Sequence, residues 1–364
     1  MDRIVYLGPY NNNKKEEFFE KSIEYLRENK GHKFYYILPN GNLLVQYRKA
    51  MINEVEKTLD INLFTFDDIA DRLIEDNFYL FLDGDMKEAF LVQILLKLRE
   101  ENKLKYYKDV STKKGFVKIL SNIIREIKQS LITPKEYLSK CPKKPFYKEI
   151  GLIYAEYEKA LADTGLIDRE GSFLKSLEIL RNDNKFFKDL DFILIDEFFD
   201  FRVQEMELLK EISKTNLPIY INMPFEREEN FHTLNNTLDI LKDLGFEIQY
   251  IEKENENPYE EIANKLFTNA SISLNSNPNI KLIKANNNYL ELKKIAEEIK
   301  YHYSQGIALE NMAIVMAETG DYKKVLYQVF KEEKIPYNMD KDISLIEVPL
   351  IREILYILEL KNNM

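Results

Sequence analysis

The feature that most constrains this fold is a repeated pairing of a short apolar segment with an amphipathic stretch of helical spacing. Residues 3–7 end at Gly8 and Pro9, residues 33–38 end at Pro39, and a helical pattern follows each of them. Strands that alternate with helices pair in parallel, because each helix carries the chain back across the sheet. The pattern therefore predicts an α/β fold with a parallel sheet, and further strands are predicted at residues 61–64, 191–195, 218–223 and 246–250.

Amphipathic helices dominate between residues 86 and 186, where strand-like segments are few. Residues 1–85 and 187–268 are therefore expected to form one α/β domain, which this helical insertion at 86–186 interrupts. Helices of the insertion are predicted over residues 87–100, 115–130 and 147–164, the last ended by Gly165, with one more beginning at Thr133-Pro134.

The α/β pattern resumes after a polar stretch at residues 269–279, which is the best linker candidate in the chain. Residues 280–364 are expected to form the start of a second α/β domain. Its strands are predicted at residues 281–284, at 312–316 and near Tyr337, and its helices at 289–305, at 322–333 and from Val348 onward.

Composition excludes several classes of protein. The single cysteine, Cys141, cannot form an internal disulfide, and alone it cannot build a zinc or iron–sulfur site. No apolar run approaches the roughly 20 residues that cross a bilayer, and the first residues lack the pattern of a signal peptide. We therefore expect a cytoplasmic protein with no membrane partner and no metal site.

Charge is distributed unevenly along the chain. The net charge of −10 disfavours contact with nucleic acid, yet residues 101–150 hold 13 Lys/Arg and 5 Asp/Glu, and the remaining residues therefore carry −18. Cations bind phosphate and aromatic faces stack on bases, so this basic segment is a candidate DNA-binding region. A solvated helical face with core aromatics is the alternative, and Phe116 fits it because Leu120 and Ile123 follow at helical spacing. The candidate DNA-binding residues are Lys113, Lys114, Lys118, Arg125, Lys128, Lys143 and Lys144.

The first strand leads into a loop at the position where nucleotide-binding α/β proteins hold phosphate. Such a loop needs glycines, whose backbone N–H groups wrap the phosphates, then a Lys and a Ser or Thr for Mg²⁺. Only Gly8 matches, Pro9 lacks an N–H, and Lys14 and Lys15 precede two glutamates. The residues predict a degenerate nucleotide-binding loop that serves as an ordinary strand-to-helix turn.

Two adjacent carboxylates follow the apolar segment at residues 191–195. In nucleotide hydrolases an Asp at the end of such a strand reaches the metal shell, and the next Glu accepts a proton from the attacking water. Asp196 and Glu197 have these residue types at this position. Carboxylates also cap helices, so residual metal binding and helix capping are both open interpretations.

The segment around these carboxylates resembles the DEFQD motif of superfamily-one helicases of the UvrD/RecB kind. Asp196 and Glu197 match its metal and base residues, whereas Phe199 stands where that family has Gln. Other segments resemble AddB/RexB-type subunits of the AddAB helicase–nuclease, in the same order along almost the whole chain. These segments are residues 36–39, Thr65-Phe66, Gly115-Phe116 with residues 126–128 and Pro134, residues 154–168, and residues 313–337.

The resemblance implies a P-loop NTPase-like, superfamily-one helicase-like sheet, with Leu7 and Ile195 on neighbouring strands, followed by part of a second RecA-like domain. Three departures imply that the nucleotide site is inactive. The loop lacks its Lys and Ser/Thr, Phe199 replaces the Gln, and Ala317 replaces an Arg of the second domain. Each departure removes a group that would neutralise phosphate charge, so helix capping becomes the preferred role of Asp196 and Glu197.

The resemblance also implies a function, namely the N-terminal non-catalytic region of the B subunit of an ATP-dependent helicase/deoxyribonuclease in double-strand break repair and recombination. DNA and an AddA-like helicase–nuclease subunit are the expected partners, and these residues are expected to hold no cofactor. A longer parent protein would carry its nuclease domain, with Mg²⁺ and an Fe–S cluster, beyond Met364. An active ATP-dependent DNA helicase and a protein-interaction scaffold without a DNA role are the alternatives.

Overall fold

The computed structural model divides into two compact units, residues 1–274 and 275–364. The predicted linker at 269–279 lies outside the described residues, except for Asn279. The structure describes residues 2–10, 12–55, 61–75, 79–182, 185–225, 234–251, 259, 262, 279–317, 320–339 and 348–362.

The described strands are β1 Arg3–Gly8, β2 Phe34–Ile37, β3 Leu63–Phe64, β4 Leu80–Phe81, β5 Leu166–Ile167, β6 Phe192–Ile195, β7 Ile219–Pro224 and β8 Glu247–Tyr250. Six of them form one sheet of the first unit in the order β3-β2-β6-β7-β1-β8, and β4 pairs with β5 separately. Every pairing in the main sheet is parallel. The predicted α/β fold class is therefore confirmed.

The described helices of the first unit are α1 Lys14–Arg27, α2 Gly41–Val55, α3 Phe66–Ile74, α4 Gly84–Glu100, α5 Lys114–Gln129, α6 Pro134–Lys140, α7 Pro145–Thr164, α8 Arg169–Asn182, α9 Val203–Ile212 and α10 Leu234–Asp243. Helices α1 and α2 cover one face of the sheet, and α3, α8, α9 and α10 cover the other.

The central strands are buried on both faces, as parallel strands between helical layers must be. Successive side chains of a strand point to opposite faces. Tyr35 and Ile37 of β2 thus pack with Ile193 of β6, whereas Phe34 and Tyr36 pack in the core beneath α1 and α2. Because helices cover both faces of the sheet, side chains on both faces of a central strand are apolar, which explains the continuous apolar runs in the sequence.

Strand β7 lies between β1 and β6, so Leu7 and Ile195 are not on neighbouring strands, and that expectation was wrong. Ile221 of β7 pairs with Val5 of β1 on one side and with Ile195 of β6 on the other. The physical reason is that a crossover helix can return the chain to any free position in a parallel sheet, and the apolar pattern does not encode which. As a result, the polar groups of β7 lie between the first loop and Asp196.

The helical insertion has its own hydrophobic cluster, which α4, α5 and α7 build together. Two of its predicted boundaries are confirmed. Thr133 and Glu136 exchange backbone and side-chain hydrogen bonds in a capping box at the start of α6, with Pro134 at its first position. Gly165 ends α7 with a φ of +68°, the left-handed conformation that glycine adopts without strain.

The second unit contains α11 Asn288–Ser304, α12 Gly320–Glu333 and α13 Pro349–Asn362 among its described residues. Helices α11 and α12 pack together through Leu292, Ala296 and Phe330, and helices were predicted for all three segments. No helix in the described ranges of the chain is long and apolar enough to cross a bilayer.

Three strands predicted in the second unit are not observed. The described segments 281–284, 312–316 and the residues around Tyr337 form no strand pairing. Leu282 is 96% exposed and Val315 is 93% exposed, so one face of each of the first two segments has no apolar cover among the described residues. A parallel strand needs cover on both faces, which the apolar pattern alone does not guarantee.

Candidate functional site

The carboxylate of Asp196 lies just after β6 and is almost fully buried. One of its oxygens accepts hydrogen bonds from the Asn222 side-chain amide of β7 (2.9 Å) and from the Glu197 backbone N–H (2.8 Å). Its other oxygen accepts a hydrogen bond from the Tyr36 hydroxyl of β2 (2.7 Å). Burial raises the pKa of Asp196, and the hydrogen bonds from Tyr36 and Asn222 only partly oppose that rise. Asp196 thus serves as a buried acceptor that joins three adjacent strands. The expected role of Asp196 and Glu197 in helix capping was wrong, because the next described helix, α9, begins at Val203 with Arg202 as its N-cap.

Glu197 occupies the left-handed backbone region, with a φ of +67°. Its carboxylate forms an ion pair with Lys15 of α1 and accepts a hydrogen bond from the Tyr47 hydroxyl of α2 (3.0 Å). Desolvation raises the pKa of Glu197, but Lys15 and the Tyr10 hydroxyl outweigh it and hold the pKa below its ordinary value. A metal ion or an attacking water that approached this oxygen of Glu197 would compete with Lys15 and Tyr47.

The described polar groups of the loop between β1 and α1 bond within the loop and to neighbouring elements. The Asn12 side-chain amide donates to the Pro9 carbonyl (2.8 Å) and to the Asn222 side-chain carbonyl (3.1 Å). The Asn12 backbone N–H donates to the Pro9 carbonyl (2.9 Å), and the Lys14 backbone N–H donates to the Asn12 side chain (2.9 Å). These are groups that would wrap a phosphate in a nucleotide-binding loop, and both backbone donors already have partners.

Gly8 and Lys14, both proposed as parts of a degenerate nucleotide loop, have local roles. A Cβ at Gly8 would lie 2.9 Å from both the Cβ and the carbonyl oxygen of Ile251, so glycine is required here for packing. Lys14 pairs with Glu17 (2.6 Å) and lies over the Tyr6 ring. Of the two predicted lysines, Lys15 alone reaches the carboxylates.

The cavity that remains at this site has a volume of about 10 Å³, enough for about one water molecule. A magnesium nucleotide is many times larger, so the residues present do not fit Mg²⁺ and ATP. Phe199, which stands where a Gln was expected, stacks its exposed ring on Tyr10 with centroids 6.0 Å apart and planes at 4°. The cavity is lined by Tyr10, Asn12, Lys15, Asp196, Glu197, Asn222 and Pro224.

Most of the candidate DNA-binding residues lie on the surface of the helical insertion. They are exposed and form no ion pair with a described residue. Two of them, Lys113 and Lys144, occupy the residue just before the first turn of α5 and of α7. The exposed candidates are Lys113, Lys114, Lys118, Arg125, Lys143 and Lys144.

Lys128 is the exception, and its predicted role in DNA contact is wrong. Its side chain is fully buried, so it cannot reach a phosphate. Lys128 follows Leu120 and Ile124 of α5 at helical spacing, and these are core residues of the insertion. Helical periodicity thus carried the signal that Lys128 faces inward, although its charge suggested the opposite.

Lys128 belongs to a buried ionic network within the insertion, which links α4, α5 and α7 to the residue just before α8. Its ammonium contacts Asp168 and Glu158, each at 2.6 Å. Asp168 also pairs with Lys87 of α4 (3.1 Å) and accepts a hydrogen bond from the Tyr157 hydroxyl (2.9 Å). Burial raises the pKa of Asp168, but the two ammonium groups outweigh it and bring the pKa to about 2.

We call the small cavity and the residues bonded around Asp196 and Glu197 the closed site. Sequence reasoning missed several of its residues, namely Asn12, Tyr36, Tyr47 and Asn222. A signal existed for Asn222, because an amide inside an apolar strand is buried and needs a partner. The two tyrosines have the spacing of core residues, and nothing local indicates that their hydroxyls meet two carboxylates. Ala317, which stands where an Arg was expected, is exposed in the second unit.

Comparison with known proteins agrees with the geometry of the fold. Residues 5–281 match the family described as ADDB, N-terminal, and residues 228–364 match the UvrD-like helicase C-terminal domain. The B subunit of the ATP-dependent helicase/deoxyribonuclease of Listeria monocytogenes serotype 4a (strain HCC23) is 24% identical over 360 residues, which cover 87% of this chain and 30% of that protein. The protein of the same name from Clostridium tetani (strain Massachusetts / E88) is 27% identical over 376 residues, covering 93% of this chain and 32% of that protein.

The chain spans about a third of the length of the curated relatives that it matches. The first of the two family matches covers well over half of the chain and contains the closed site and all of the main sheet except the first two residues of β1. The chain therefore belongs to the AddB N-terminal family, with a helicase-like α/β fold.

Proposed function

We propose that this chain is the non-catalytic, helicase-like region of the B subunit of a helicase/deoxyribonuclease. In this proposal it engages DNA and a partner helicase–nuclease subunit in the cytoplasm, in double-strand break repair and recombination. The closed carboxylate site carries the proposal. The Lys15 ammonium forms an ion pair with Glu197. The cavity at this site has room for about one water molecule, whereas an active helicase would have to bind a nucleotide there.

The proposed mechanism is passive. The helicase-like fold guides DNA, whereas ATP hydrolysis belongs to the partner subunit. The relatives' names, which describe each of them as one subunit of a helicase/deoxyribonuclease, support a partner. The six exposed candidate cations of the insertion support DNA contact, because none of these six forms an ion pair with a described residue.

Calorimetric titration of the chain with ATP and MgCl₂ is expected to give no heat beyond dilution, with nucleotide at up to about 1 mM. Lys14 and Lys15 both pair with glutamates, and the backbone amides of Asn12 and Lys14 already donate hydrogen bonds within the loop. An active ATPase run in parallel provides the positive control. Magnesium-dependent binding that disappears in Asp196→Asn would instead support an active helicase.

Replacing four exposed lysines with Gln is expected to weaken binding to DNA at least tenfold near 0.1 M salt. The slope of log K against log salt should also flatten, by about 0.7 for each phosphate of a single strand that no longer has a lysine partner. Fluorescence anisotropy with a labelled oligonucleotide measures both. The four substitutions are Lys113→Gln, Lys114→Gln, Lys143→Gln and Lys144→Gln.

A charge-matched control removes four exposed lysines elsewhere in the first unit, and it is expected to bind DNA within about twofold of the wild type. Equal affinity of the wild type and the insertion variant would favour the scaffold without a DNA role. The control substitutions are Lys30→Gln, Lys49→Gln, Lys188→Gln and Lys242→Gln.

A further inference from the structure

Five aromatic rings meet at one end of the helical insertion and form what we call the aromatic surface: Tyr106, Tyr107, Phe116, Phe146 and Tyr147. Tyr106 is 61% exposed, and its ring lies 5.9 Å from Phe146 at an interplanar angle of 36°. Phe146 in turn lies 3.8 Å from Tyr147 at 33°. These three rings are therefore neighbours in a row, and each plane is tilted from the next by about a third of a right angle.

The inner pair of rings supports this row. Tyr107 stands at 89° to Tyr106 and packs on Phe116 at 4.7 Å, and both inner rings are partly buried against the hydrophobic cluster of the insertion. An ordinary core would bury the outermost ring as well. Here Tyr106, the most exposed of the five rings, rests on the partly buried inner rings. This arrangement would suit stacking by a planar ligand.

The surroundings of the aromatic surface are basic. Lysines flank the rings in sequence on each of the three segments that meet there, and the first turns of α5 and α7 contain no acidic residue. Acidic residues usually occupy first turns, where they stabilise the helix dipole. Two exposed carboxylates, Glu101 and Asp109, lie in the loop between α4 and α5, and Glu101 pairs with Lys103. The exposed lysines, none of which forms an ion pair with a described residue, are Lys105, Lys108, Lys113, Lys114, Lys143 and Lys144.

A buried carboxylate holds the exposed ring in place. Glu149 of α7 accepts hydrogen bonds from three consecutive backbone N–H groups, those of Lys105 (2.8 Å), Tyr106 (2.7 Å) and Tyr107 (2.9 Å). Charge-assisted hydrogen bonds of this kind are stronger than neutral ones. The loop that presents Tyr106 is therefore preorganised before any ligand arrives.

We infer that the aromatic surface binds unpaired DNA bases by stacking, with Tyr106 as the outermost ring and the surrounding lysines on the phosphates. The inference rests on the proposed DNA role and specifies its substrate as single-stranded DNA. Bases in a duplex are already stacked on each other and cannot reach a protein ring, whereas unpaired bases can. Glu149 is the positioning residue, since it touches the loop and no base.

The test uses three labelled ligands with the same number of phosphates: an oligothymidylate of about 15 nucleotides, its abasic counterpart, and a duplex. The wild type is expected to bind the oligothymidylate at least about fivefold more tightly than the abasic strand. Tyr106→Ala should erase that preference and leave affinity for the duplex unchanged. Tyr106→Phe keeps the ring and should retain the preference.

Two further variants sharpen the result. Tyr250→Ala removes a ring that is 58% exposed at the end of β8, and it should bind all three ligands as the wild type does. Glu149→Ala should reduce the preference for bases in the wild type but not further in Tyr106→Ala, because both changes act through the same ring.

The failure of this inference is distinguishable from failure of the proposed function. If Tyr106→Ala keeps the wild-type preference for bases while the insertion lysine variant loses affinity for every ligand, stacking on this surface is refuted and the DNA role stands. If the lysine variant binds every ligand as the wild type does, the DNA role itself fails.

Discussion

Replacing Lys128 with Met is expected to lower the free energy of unfolding by about 3–5 kcal/mol. Met fills nearly the same volume as the Lys stem but removes the ammonium that contacts Asp168 and Glu158. Asp168 is fully buried and would keep Lys87 as its one cationic partner. The loss is large because a carboxylate held out of water depends on its ion pairs and hydrogen bonds.

Urea denaturation followed by circular dichroism measures this loss in the transition of the first unit. Lys118→Met is the matched control, since Lys118 lies on the same helix and is exposed. It should change stability by less than about 0.5 kcal/mol. If Lys128→Met instead unfolds at the same midpoint urea concentration as the wild type and binds DNA more weakly, that result would contradict the burial of Lys128 and support its predicted role in DNA contact.

Acid titration of stability is a second measurement on the same pair of proteins. The pKa of Asp168 is about 2 in the fold, compared with an ordinary value of 3.8. The depressed pKa contributes about 2 kcal/mol that is fully present above about pH 4 and is lost as the pH falls towards 2. Lys128→Met should lose less stability than the wild type across this window, because its Asp168 has only one ammonium left.

Asp196→Ala is expected to destabilise the first unit by about 2–4 kcal/mol, since three buried donors would lose their acceptor. These donors are the Tyr36 hydroxyl, the Asn222 amide and the Glu197 backbone N–H. Asp196→Asn should stay within about 1 kcal/mol of the wild type. Burial raises the pKa of Asp196, so the fold already disfavours the charge, and the Tyr36 hydroxyl can rotate to accept from the new amide.

The contrast between these two substitutions separates a structural carboxylate from a catalytic one. In a metal-dependent ATPase the Asn variant would lose activity, whereas here both variants should leave the ATP titration unchanged and differ only in thermal or urea stability. Asp163→Ala, an exposed carboxylate near the end of α7, is the control and should be neutral within about 0.5 kcal/mol. Wild-type stability of Asp196→Ala would show that the hydrogen bonds at this site do not support the fold.

The order of the strands and the fate of single charged side chains could not be predicted from the sequence. Lys118 and Lys128 are the same residue type on the same helix, yet the first is exposed and the second is fully buried. Charge alone predicts that both are surface cations. The burial of Lys128 depends on Asp168, 40 residues further along the chain, and only tertiary contact brings that carboxylate to it.

The closed site shows the same division. The sequence alone showed that the loop after β1 lacks the groups that bind phosphate, since those groups belong to a few consecutive residues. The position of Lys15 beside Glu197 could not be predicted from the sequence, because it depends on how α1 approaches the end of β6.

Periodicity and turn residues determined, without any coordinates, that the first unit alternates strands and helices, that its sheet is parallel, and that a basic helical segment lies between its strands. These properties arise from neighbours within a few residues, which the chain itself specifies. Only the tertiary structure decided that β7 separates β1 from β6, that Lys128 faces a buried carboxylate, and that Lys15 lies against Glu197. Each of these outcomes depends on contacts between residues far apart in the chain. The local sequence pattern around a residue does not specify which distant side chain contacts it in the fold.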